Sequence, residues 1–317
     1  MAVTREMVAW AYRLLLDREA ESDAVIDAYA QIDDVPALRR AFLSSDEYSI
    51  KNPGGLATVG RYREVRSVPV QVDATPDEIK AMMARIAHEW RRFGETEPHW
   101  SVLVSQSFTA ANIDQHIDHF YETGHENLPL IFNPLARVGM APERFGKVLD
   151  FGCGVGRLSL ALATHADQVL GVDISPPHIR LARERADQVG IANVDFKAID
   201  TPDDLDGLSG FDLIVSLIVL QHNPPPVMAA LLGKLLRALA PGGGAVIQIP
   251  TFINNYSFSV ADYLANDQAS MEMNALPQPA IFAIAEQAGC RVLEVREDWW
   301  IGDIPGVSQT FVFGRPA

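Results

Sequence analysis

The sequence predicts an α/β fold in which a doubly wound, mostly parallel sheet follows a set of N-terminal helices. Beyond Lys147, short apolar stretches alternate with helical stretches, as they do in chains that build parallel sheets. The first of these apolar stretches leads into a glycine-rich loop. A later one, from Phe211 to Leu217, is almost continuously apolar, which is typical of a strand that is buried on both faces.

Residues 1–52 are predicted to form a small helical domain. Val8, Tyr12 and Leu15 recur at helical spacing, and the run from Asn52 to Gly55 breaks the pattern. The blocks YRLLLDR and FLSSDEY resemble the short helical repeats of the DUF4214 family, which accompany glycan-related bacterial proteins. The residues that carry this resemblance are Tyr12, Leu15, Leu16, Arg18, Phe42, Leu43, Ser45, Glu47 and Tyr48. An ordinary helical hairpin is the alternative interpretation.

Residues 53–74 are predicted to be a linker, and residues 75–145 a helical extension that covers the sheet. Thr75, Pro76 and Glu78 form the sequence signature of a capping box with proline in the first helical turn. The apolar residues that follow are spaced as on one face of a helix: Ile79, Met82, Met83 and Ile86.

From residue 146 onward the sequence predicts strands and helices in alternation. The predicted strands are 148–151, 169–173, 194–198, 211–217, 245–249, 291–296 and 309–313. The predicted helices are 155–165, one that begins at Ser175-Pro176-Pro177, one marked by Met228, Leu231, Leu232, Leu235 and Leu239, and 277–289. The run from Pro241 to Gly244 is predicted to end the third of these helices.

The glycine-rich loop after the first strand is the predicted ligand site. Gly152, Gly154 and Gly156 allow the backbone to approach a ligand closely, and doubly wound sheets bind ligands at the carboxyl ends of their strands. Arg157 stands where a dinucleotide-binding fingerprint would have its third glycine. Asp173 ends the second strand, where a carboxylate can accept hydrogen bonds from both hydroxyls of a ribose.

The run VLDFGCGVGRLSLALA, followed by VLGVDIS, resembles the first motifs of class I S-adenosylmethionine (SAM) dependent methyltransferases. The run LLRALAPGGGAVIQI is similar to a later segment of the same family. The resemblance spans about residues 110–317 and implies a Rossmann-like core over residues 146–317. It also implies a seven-stranded sheet in the order 3-2-1-4-5-7-6, with strand 7 antiparallel.

The resemblance further implies a role in SAM binding for individual residues. Gly152, Gly154 and Gly156 would line the methionine end of SAM, Asp150 would position its amino group, and Asp173 would hold its ribose. The other implied contacts are Ile174 against the adenine, Asp200 and Thr201 at the adenine amino group, Leu217 and Ile218 beside the cofactor, and Tyr121 and Gly124 in a segment that closes over it. Two plainer roles stay open, since Asp173 can cap the next helix and Asp200-Thr201 also fits an ordinary loop and cap.

His222 is the predicted general base. Methyl transfer is an in-line displacement, so alignment of donor and acceptor supplies most of the acceleration. An alcohol acceptor must also lose a proton, and a histidine near the methyl group is the usual base. His222 lies just beyond the fourth strand, where members of the family present residues to the methyl group. A histidine that is simply hydrogen-bonded within the loop, or that contacts the cofactor, is the alternative.

Three further motifs are given other interpretations. His116 and His119 are spaced as on one helix face and His125 follows, but no carboxylate partner can be assigned, so no metal site is predicted. Cys153 is predicted to be a packed thiol because no paired base is evident. The run that begins at Asn223 differs from the Asn-Pro-Pro-aromatic motif of nucleobase methyltransferases, because it lies too far from the strand and has no aromatic residue.

Residues 251–276 are longer than an ordinary connection between a strand and a helix, and they are predicted to build an acceptor pocket or a lid. The aromatic residues in this region and after it allow two roles, stacking on an acceptor or packing in the core: Tyr256, Phe258, Tyr263, Trp299 and Trp300.

The composition narrows the range of partners. With 26 basic and 41 acidic residues the formal net charge is −15, which disfavours a nucleic-acid partner. Two cysteines are too few for a disulfide framework or a zinc cluster, and no apolar run is long enough to predict a membrane span. These observations predict a cytoplasmic protein, and the sequence leaves a homo-oligomer open.

Taken together, the residues predict a SAM-dependent methyltransferase that O-methylates a small molecule or a saccharide. The saccharide acceptor rests on the resemblance of the N-terminal domain. Three alternatives stay open: methylation of a small amine, a non-catalytic SAM-binding or glycan-associated scaffold, and an NAD-dependent oxidoreductase.

Overall fold

A computed structural model describes residues 2–51, 69–266 and 271–317 of the chain. The chain divides into two compact units, Met1–Ser67 and Val68–Ala317. Most of the predicted linker, residues 53–68, lies outside the described residues, as do residues 267–270 of the predicted lid segment. None of the described helices is both long enough and apolar enough to cross a membrane.

Within residues 2–51, the first unit forms the helices α1 (Arg5–Leu16), α2 (Asp23–Ala30), α3 (Val35–Leu43) and α4 (Asp46–Lys51). The first three begin at capping residues whose side chains accept a backbone N–H: Thr4, Ser22 and Asp34. The core of the unit contains Val8, Tyr12, Leu16, Leu38, Phe42 and Tyr48.

An ion pair joins the two sequence blocks of the first unit. The Arg18 guanidinium donates two hydrogen bonds to the Glu47 carboxylate, at 2.6 and 2.7 Å. The Tyr12 and Phe42 rings, one from each block, meet edge to face with their centroids 4.9 Å apart. Polar and aromatic residues of the two blocks therefore pack together within these helices.

The second unit begins with two long helices, α5 (Pro76–Thr96) and α6 (Ile117–Arg137). The capping box at the start of α5 is confirmed, because the Glu78 N–H donates to Thr75 Oγ1 and the Thr75 N–H donates to Glu78 Oε2. The predicted apolar stripe of α5 packs on the sheet through Met82, Met83 and Ile86, all of which are buried.

The described residues of the second unit then form the predicted α/β core, whose seven-stranded sheet has the order 3-2-1-4-5-7-6. The strands are β1 (Phe145–Phe151), β2 (Ala166–Asp173), β3 (Val194–Ala198), β4 (Phe211–Ser216), β5 (Leu239–Ile253), β6 (Arg291–Asp298) and β7 (Gly306–Gly314). The helices between them are α7 (Arg157–Leu162), α8 (Pro176–Val189), α9 (Pro225–Arg237), α10 (Val260–Ala265) and α11 (Gln278–Gln287). Strands β1 to β5 pair in parallel, and β7 pairs antiparallel with both β5 and β6, so the predicted fold class is confirmed.

The helices cover both faces of this sheet. On one face, α5, α9 and α11 bury apolar residues such as Met82, Leu232 and Ile281. On the other face, α6 and α7 contribute Ile131 and Leu162, and a neighbouring cluster includes α8. The strands of the sheet centre are therefore buried on both sides, as their apolar sequences predict.

One predicted boundary is wrong. Leu239 does not belong to the helix after β4, because α9 ends at Arg237 and β5 begins at Leu239. The glycine run does not act as a turn that separates helix from strand. It forms part of β5, with Gly242 and Gly243 hydrogen-bonded to the backbone of Arg315, and the pairing of β4 with β5 shifts register across it. Leu239 is buried in the core in either case, so its apolar character alone could not distinguish helix from strand.

Candidate functional site

A cavity of about 500 Å³ lies at the carboxyl ends of the central strands in the second unit. Its floor is formed by residues that follow β1, β2 and β4, among them Gly152, Asp173 and Leu217. Its other walls come from α5, from the loop before α6 and from residues near β5 and β6, including Trp90, Val102, Met273 and Trp300. This is the position at which doubly wound sheets bind their ligands.

The glycine loop forms part of the cavity wall. Two of its positions, Gly152 and Gly154, have no room for a side chain. A Cβ atom on Gly152 would lie 2.3 Å from Val219 Cγ2, and one on Gly154 would lie 2.6 Å from Val102 Cγ2. Both glycines also have a positive φ, +77° and +53°, which disfavours any other residue. The loop can therefore line the cavity in this conformation only with glycine at these two positions.

Gly156 has a different role from the other two glycines. It does not belong to the cavity lining. A Cβ atom there would lie 2.9 Å from the Phe196 ring and 3.1 Å from Ala182 Cβ, so the glycine allows the start of α7 to pack closely against β3 and α8.

Asp173 faces the cavity with both carboxylate oxygens held in place. Oδ2 accepts a hydrogen bond from the Gly154 N–H at 2.8 Å, and Oδ1 accepts one from the Ser175 N–H at 2.9 Å. The side chain thus links the end of β2 to the glycine loop and to the start of α8. Each carboxylate oxygen can accept a further hydrogen bond, so the carboxylate can still receive a pair of ligand hydroxyls.

Asp150 is a buried carboxyl group at the end of β1 that also lines the cavity. The Ser159 hydroxyl donates a hydrogen bond to its Oδ2 at 2.6 Å. Burial raises the pKa of Asp150 to about 6, and the hydrogen bond from Ser159 and the nearby charge of Arg157 oppose that increase. Close to neutral pH, this site therefore presents a negative charge that a ligand cation would stabilise.

These residues fit SAM by their chemistry. The cavity offers a carboxylate for a ribose, a buried carboxylate for an ammonium group and the apolar side chains of Ile174 and Leu217 for a flat base. Arg157 and His178 also line the cavity. Their atoms Arg157 Nε and His178 Nδ1 are buried without a hydrogen-bond partner among the described residues, and a Cβ atom on Gly94 of α5 would lie 2.8 Å from His178 Nδ1.

Ile218 lies in the cavity wall with its backbone in the left-handed region, at φ +60°. This conformation costs a β-branched residue about 1–3 kcal/mol, and it persists only where the surroundings impose it. The Ile218 N–H donates to Gln248 Oε1 at 3.0 Å, and Gln248 is fully buried in β5. Sequence reasoning did not identify Gln248, because an isolated glutamine within an apolar strand carries no local signal.

His222 lies in the cavity wall after β4, as its position in the sequence predicts. Its Nδ1–H donates to the backbone carbonyl of Glu272 at 2.8 Å, and its Nε2 accepts from Gln221 Nε2 at 3.3 Å. Its ring lies 5.4 Å from the Trp90 ring, centroid to centroid. Burial lowers the pKa of His222, so the imidazole is neutral at physiological pH and can accept a proton.

Four residues with a predicted cofactor contact do not line the cavity: Asp200, Thr201, Tyr121 and Gly124. Thr201 caps a short 3₁₀ helix, and the backbone N–H groups of Asp200 and Thr201 both donate to the Asp204 carboxylate. The neighbouring Ile199 reaches the cavity instead.

Tyr121 and Gly124 support the glycine loop from α6. The Tyr121 hydroxyl donates to the Val155 carbonyl at 3.2 Å. A Cβ atom on Gly124 would lie 2.3 Å from the Arg157 carbonyl oxygen, so this glycine lets α6 approach α7 closely. In the structure both residues therefore lie behind the loop.

The upstream histidines are also remote from the cavity lining. His116 precedes α6 as its capping residue, whereas His119 and His125 lie within that helix and are exposed. Among the described residues, no group of three or more His, Cys, Asp or Glu side chains could hold a metal ion. Cys153 is buried beside the loop, where burial raises the pKa of its thiol.

The segment after β5 contributes methionines rather than aromatic rings to the cavity. Met271 and Met273 line it, together with Trp300. The three predicted aromatics pack elsewhere: Tyr256 donates to Asn274 Oδ1, Phe258 is buried, and Tyr263 lies under the Arg85 guanidinium. Trp299 is exposed. The methionines have no signal in the sequence that distinguishes them from core residues.

Parts of the chain are similar to known methyltransferases. Residues 148–243, which run from β1 into β5, match the family described as "Methyltransferase domain". A "Ubiquinone biosynthesis O-methyltransferase" from Paramagnetospirillum magneticum is 38% identical over 104 residues, which are 33% of this chain and 40% of that protein. A protein of the same description from Idiomarina loihiensis is 32% identical over 181 residues, or 56% of this chain and 62% of that protein. The chain thus spans between two fifths and about three fifths of the length of these two relatives.

Among solved structures, magnesium protoporphyrin IX methyltransferase from Synechocystis PCC 6803 with bound S-adenosylhomocysteine (SAH) is similar to this chain. The sequence identity is 19% and the TM-score 0.49, over 73% of this chain and 99% of that one.

Proposed function

We propose that the protein is a SAM-dependent methyltransferase that uses the cavity at the carboxyl ends of β1, β2 and β4. The observation that carries this proposal is the link from Asp173 to the glycine loop, which places a carboxylate beside the loop backbone in the cavity wall, at the switch point of the sheet. The match of residues 148–243 to a methyltransferase domain covers both parts of this link and supports the proposal.

In the proposed complex, Asp173 binds the ribose hydroxyls and Asp150 the ammonium group of SAM. The backbone of Gly152 and Gly154 faces the methionine part, with Gly156 behind it. The apolar wall is formed by Ile174, Leu217 and Ile218. When bound, SAM supplies a methyl group on a positively charged sulfur, and this sulfur becomes a neutral thioether once the methyl group is transferred. Asp200, Thr201, Tyr121 and Gly124 are omitted from the proposed contacts because they lie outside the cavity lining.

The reaction that the site supports best is O-methylation of a small molecule, with His222 as the general base. A neutral imidazole in the wall of the cavity can accept the proton that a hydroxyl loses as it attacks the methyl group. The two relatives named above are described as O-methyltransferases, which agrees with this proposal. Met83, Trp90, Met271 and Met273 make much of the wall apolar, which favours an acceptor with an apolar or aromatic body.

A saccharide acceptor depends on the first unit. The Arg18–Glu47 ion pair joins the two sequence blocks that resemble glycan-associated repeats, a contact that an ordinary helical hairpin can also make. Among the described residues, the cavity lining combines polar side chains with an apolar wall that includes Trp90, Met271 and Met273, and this wall suits an apolar acceptor body. We therefore place a phenol or another apolar alcohol ahead of a saccharide.

The decisive experiment is to incubate the protein with methyl-labelled SAM and panels of phenols, aliphatic alcohols, saccharides and amines. We expect label in an ether product. Label in a methylamine would instead favour N-methylation, whereas tight SAH binding with no transfer to any panel member would favour a scaffold. Calorimetry that shows binding of NADH but not of SAH would contradict the proposed cofactor.

The raised pKa of Asp150 predicts that SAH affinity depends on pH. Above its folded-state pKa of about 6 the carboxyl group is ionised and attracts the ligand ammonium, and below that value it is increasingly protonated. We expect the affinity measured by calorimetry to fall about tenfold for each pH unit below 6. The variant Asp150→Asn is expected to bind weakly with no such dependence, and a wild-type affinity that stays constant from pH 7 to 5 would contradict this role.

A further inference from the structure

We propose that Gln221 is a specificity-determining residue, which holds an amide N–H donor beside Nε2 of His222 and so selects an acceptor oxygen over an acceptor nitrogen. This inference rests on the proposed methyl transfer and deepens it. It follows from a chain of buried hydrogen bonds whose direction is fixed at both ends by backbone groups.

The first fixed end is the backbone N–H of Ile218, which can only donate. It contacts Gln248 Oε1 at 3.0 Å, so that atom must be the amide oxygen and the other arm of Gln248 must be the NH₂ group. This NH₂ group donates to Gln221 Oε1 at 3.0 Å and to Ser308 Oγ at 2.6 Å. The amide orientation of Gln221 follows, with its oxygen toward Gln248 and its NH₂ group toward His222.

The second fixed end is the backbone carbonyl of Glu272, which can only accept. It lies 2.8 Å from His222 Nδ1, so Nδ1 carries the hydrogen, and Nε2 of the neutral ring has a free electron pair. Gln221 Nε2 lies 3.3 Å from this atom. Two independent constraints therefore agree that a donor on Gln221 faces an acceptor on His222.

The donor-to-acceptor direction of this chain of hydrogen bonds cannot easily reverse, because the side chains that form it are shielded from water. Gln248 and Ser308 are fully buried, and Gln221 is 2% exposed. Turning either amide would oppose two donors or two acceptors in a place where no solvent compensates them. The left-handed backbone conformation of Ile218 directs its N–H toward Gln248 Oε1, the first hydrogen bond of the chain. The strained conformation therefore has a function in this proposal.

This placement of a hydrogen-bond donor on Gln221 and an acceptor on His222 suits a hydroxyl as the methyl acceptor. When the acceptor binds, the Gln221 NH₂ group transfers its hydrogen bond from His222 Nε2 to the acceptor oxygen, and the acceptor O–H donates to the electron pair that this frees on Nε2. As the oxygen bonds to the methyl carbon, its proton moves to Nε2, and the electron pair of the broken S–CH₃ bond stays on sulfur. The products are a methyl ether, neutral SAH and a His222 imidazolium, which returns its proton to solvent.

The same placement of donor and acceptor disfavours an amine as the methyl acceptor. A neutral amine nitrogen has one electron pair, which it needs for attack on the methyl group. The Gln221 NH₂ group would compete for that pair, whereas an acceptor oxygen keeps a second pair free. Because Gln221 acts on the reacting atom only through this hydrogen bond, replacing its donor should change selectivity between oxygen and nitrogen.

The first test reads the tautomer of His222 in the free protein by ¹⁵N NMR, with the resonance assigned from its loss in His222→Gln. We expect the hydrogen on Nδ1 and an unprotonated Nε2 near neutral pH. A hydrogen on Nε2 would overturn the proposal. The measurement needs neither cofactor nor turnover, so its failure is distinct from failure of the methyltransferase assignment, which the labelled-SAM assay tests.

The second test compares binding of phenol and aniline to the SAH complex, followed through the same His222 resonance. The wild type should prefer phenol, and Gln221→Leu should reduce that preference at least tenfold, whereas the surface control Gln188→Leu should leave it unchanged. An unchanged preference in Gln221→Leu would overturn the proposal. If that variant does not fold, Gln221→Met, which is unbranched and also lacks the amide donor, serves for the same comparison, and an unchanged preference there would equally overturn the proposal.

Discussion

Replacing Asp173 with alanine is expected to weaken the binding of SAH about 100-fold. The carboxylate is the proposed partner of both ribose hydroxyls, and charge-assisted hydrogen bonds contribute about 1.5–3 kcal/mol each. Their joint loss corresponds to a factor of about 100 or more in the dissociation constant. The change also removes the two bonds that hold Gly154 and Ser175, so the glycine loop loses its support. Calorimetry with SAH measures the effect directly.

Two further variants separate the ligand contact from this support. Asp173→Asn keeps a side-chain oxygen that can accept one backbone N–H but removes the charge, so we expect an intermediate loss of affinity. Asp167→Ala removes the same charge from the opposite end of β2, where the side chain is exposed and pairs with Arg144 on the surface. That control should bind SAH as the wild type does. Unchanged affinity in Asp173→Ala would contradict the proposed cofactor site.

The features that the sequence predicts correctly are those that local chemistry imposes. The alternation of strands and helices follows from buried apolar strands, each followed by a helix, which appear as runs such as Phe211 to Ser216, whereas the order of the strands was implied by the family resemblance. At Gly152 a Cβ atom would collide with Val219, so only glycine fits there, and the glycine is visible in the sequence. The position of Asp173 follows because the end of a parallel strand lies at the same edge as the loop after its neighbour.

Features that depend on contacts between distant segments could not be predicted. Gln248 and Gln221 belong to one hydrogen-bond chain, but they are far apart in sequence and each is an unremarkable amide within an apolar stretch. Met271 and Met273 reach the cavity only because the chain after β5 returns over it. No periodicity in the sequence carries that information.

The predicted contact of Asp200 and Thr201 illustrates how one short sequence can serve two roles. An acidic residue followed by threonine and proline suits an adenine contact by resemblance, and it equally suits a helix cap by local chemistry. In the structure the cap is formed, with Asp204 accepting two backbone N–H groups, and the cavity lining contains Ile199 instead. Asp204 thus satisfies the backbone N–H groups of Asp200 and Thr201 without a ligand.

Replacing His222 with glutamine is expected to lower kcat for an alcohol or phenol acceptor about 10²–10⁴-fold, which is the usual contribution of a positioned general base. Glutamine can keep a hydrogen bond to its neighbours but cannot accept the proton at neutral pH. The affinity for SAH should change little, because His222 is not among the proposed cofactor contacts. His125→Ala, an exposed histidine on α6, is the matched control and should retain full activity.

The pH dependence of kcat distinguishes a base from a structural histidine. Because burial lowers the pKa of His222, the base is neutral throughout the physiological range, and kcat should decline only below pH 6.5, as the imidazole becomes protonated. The decline should approach tenfold per pH unit and should be absent in His222→Gln. Saturating SAM keeps the separate titration of Asp150 from affecting the result. If His222→Gln retained full turnover, an acceptor that needs no base, such as a neutral amine, would replace the hydroxyl in the proposed reaction.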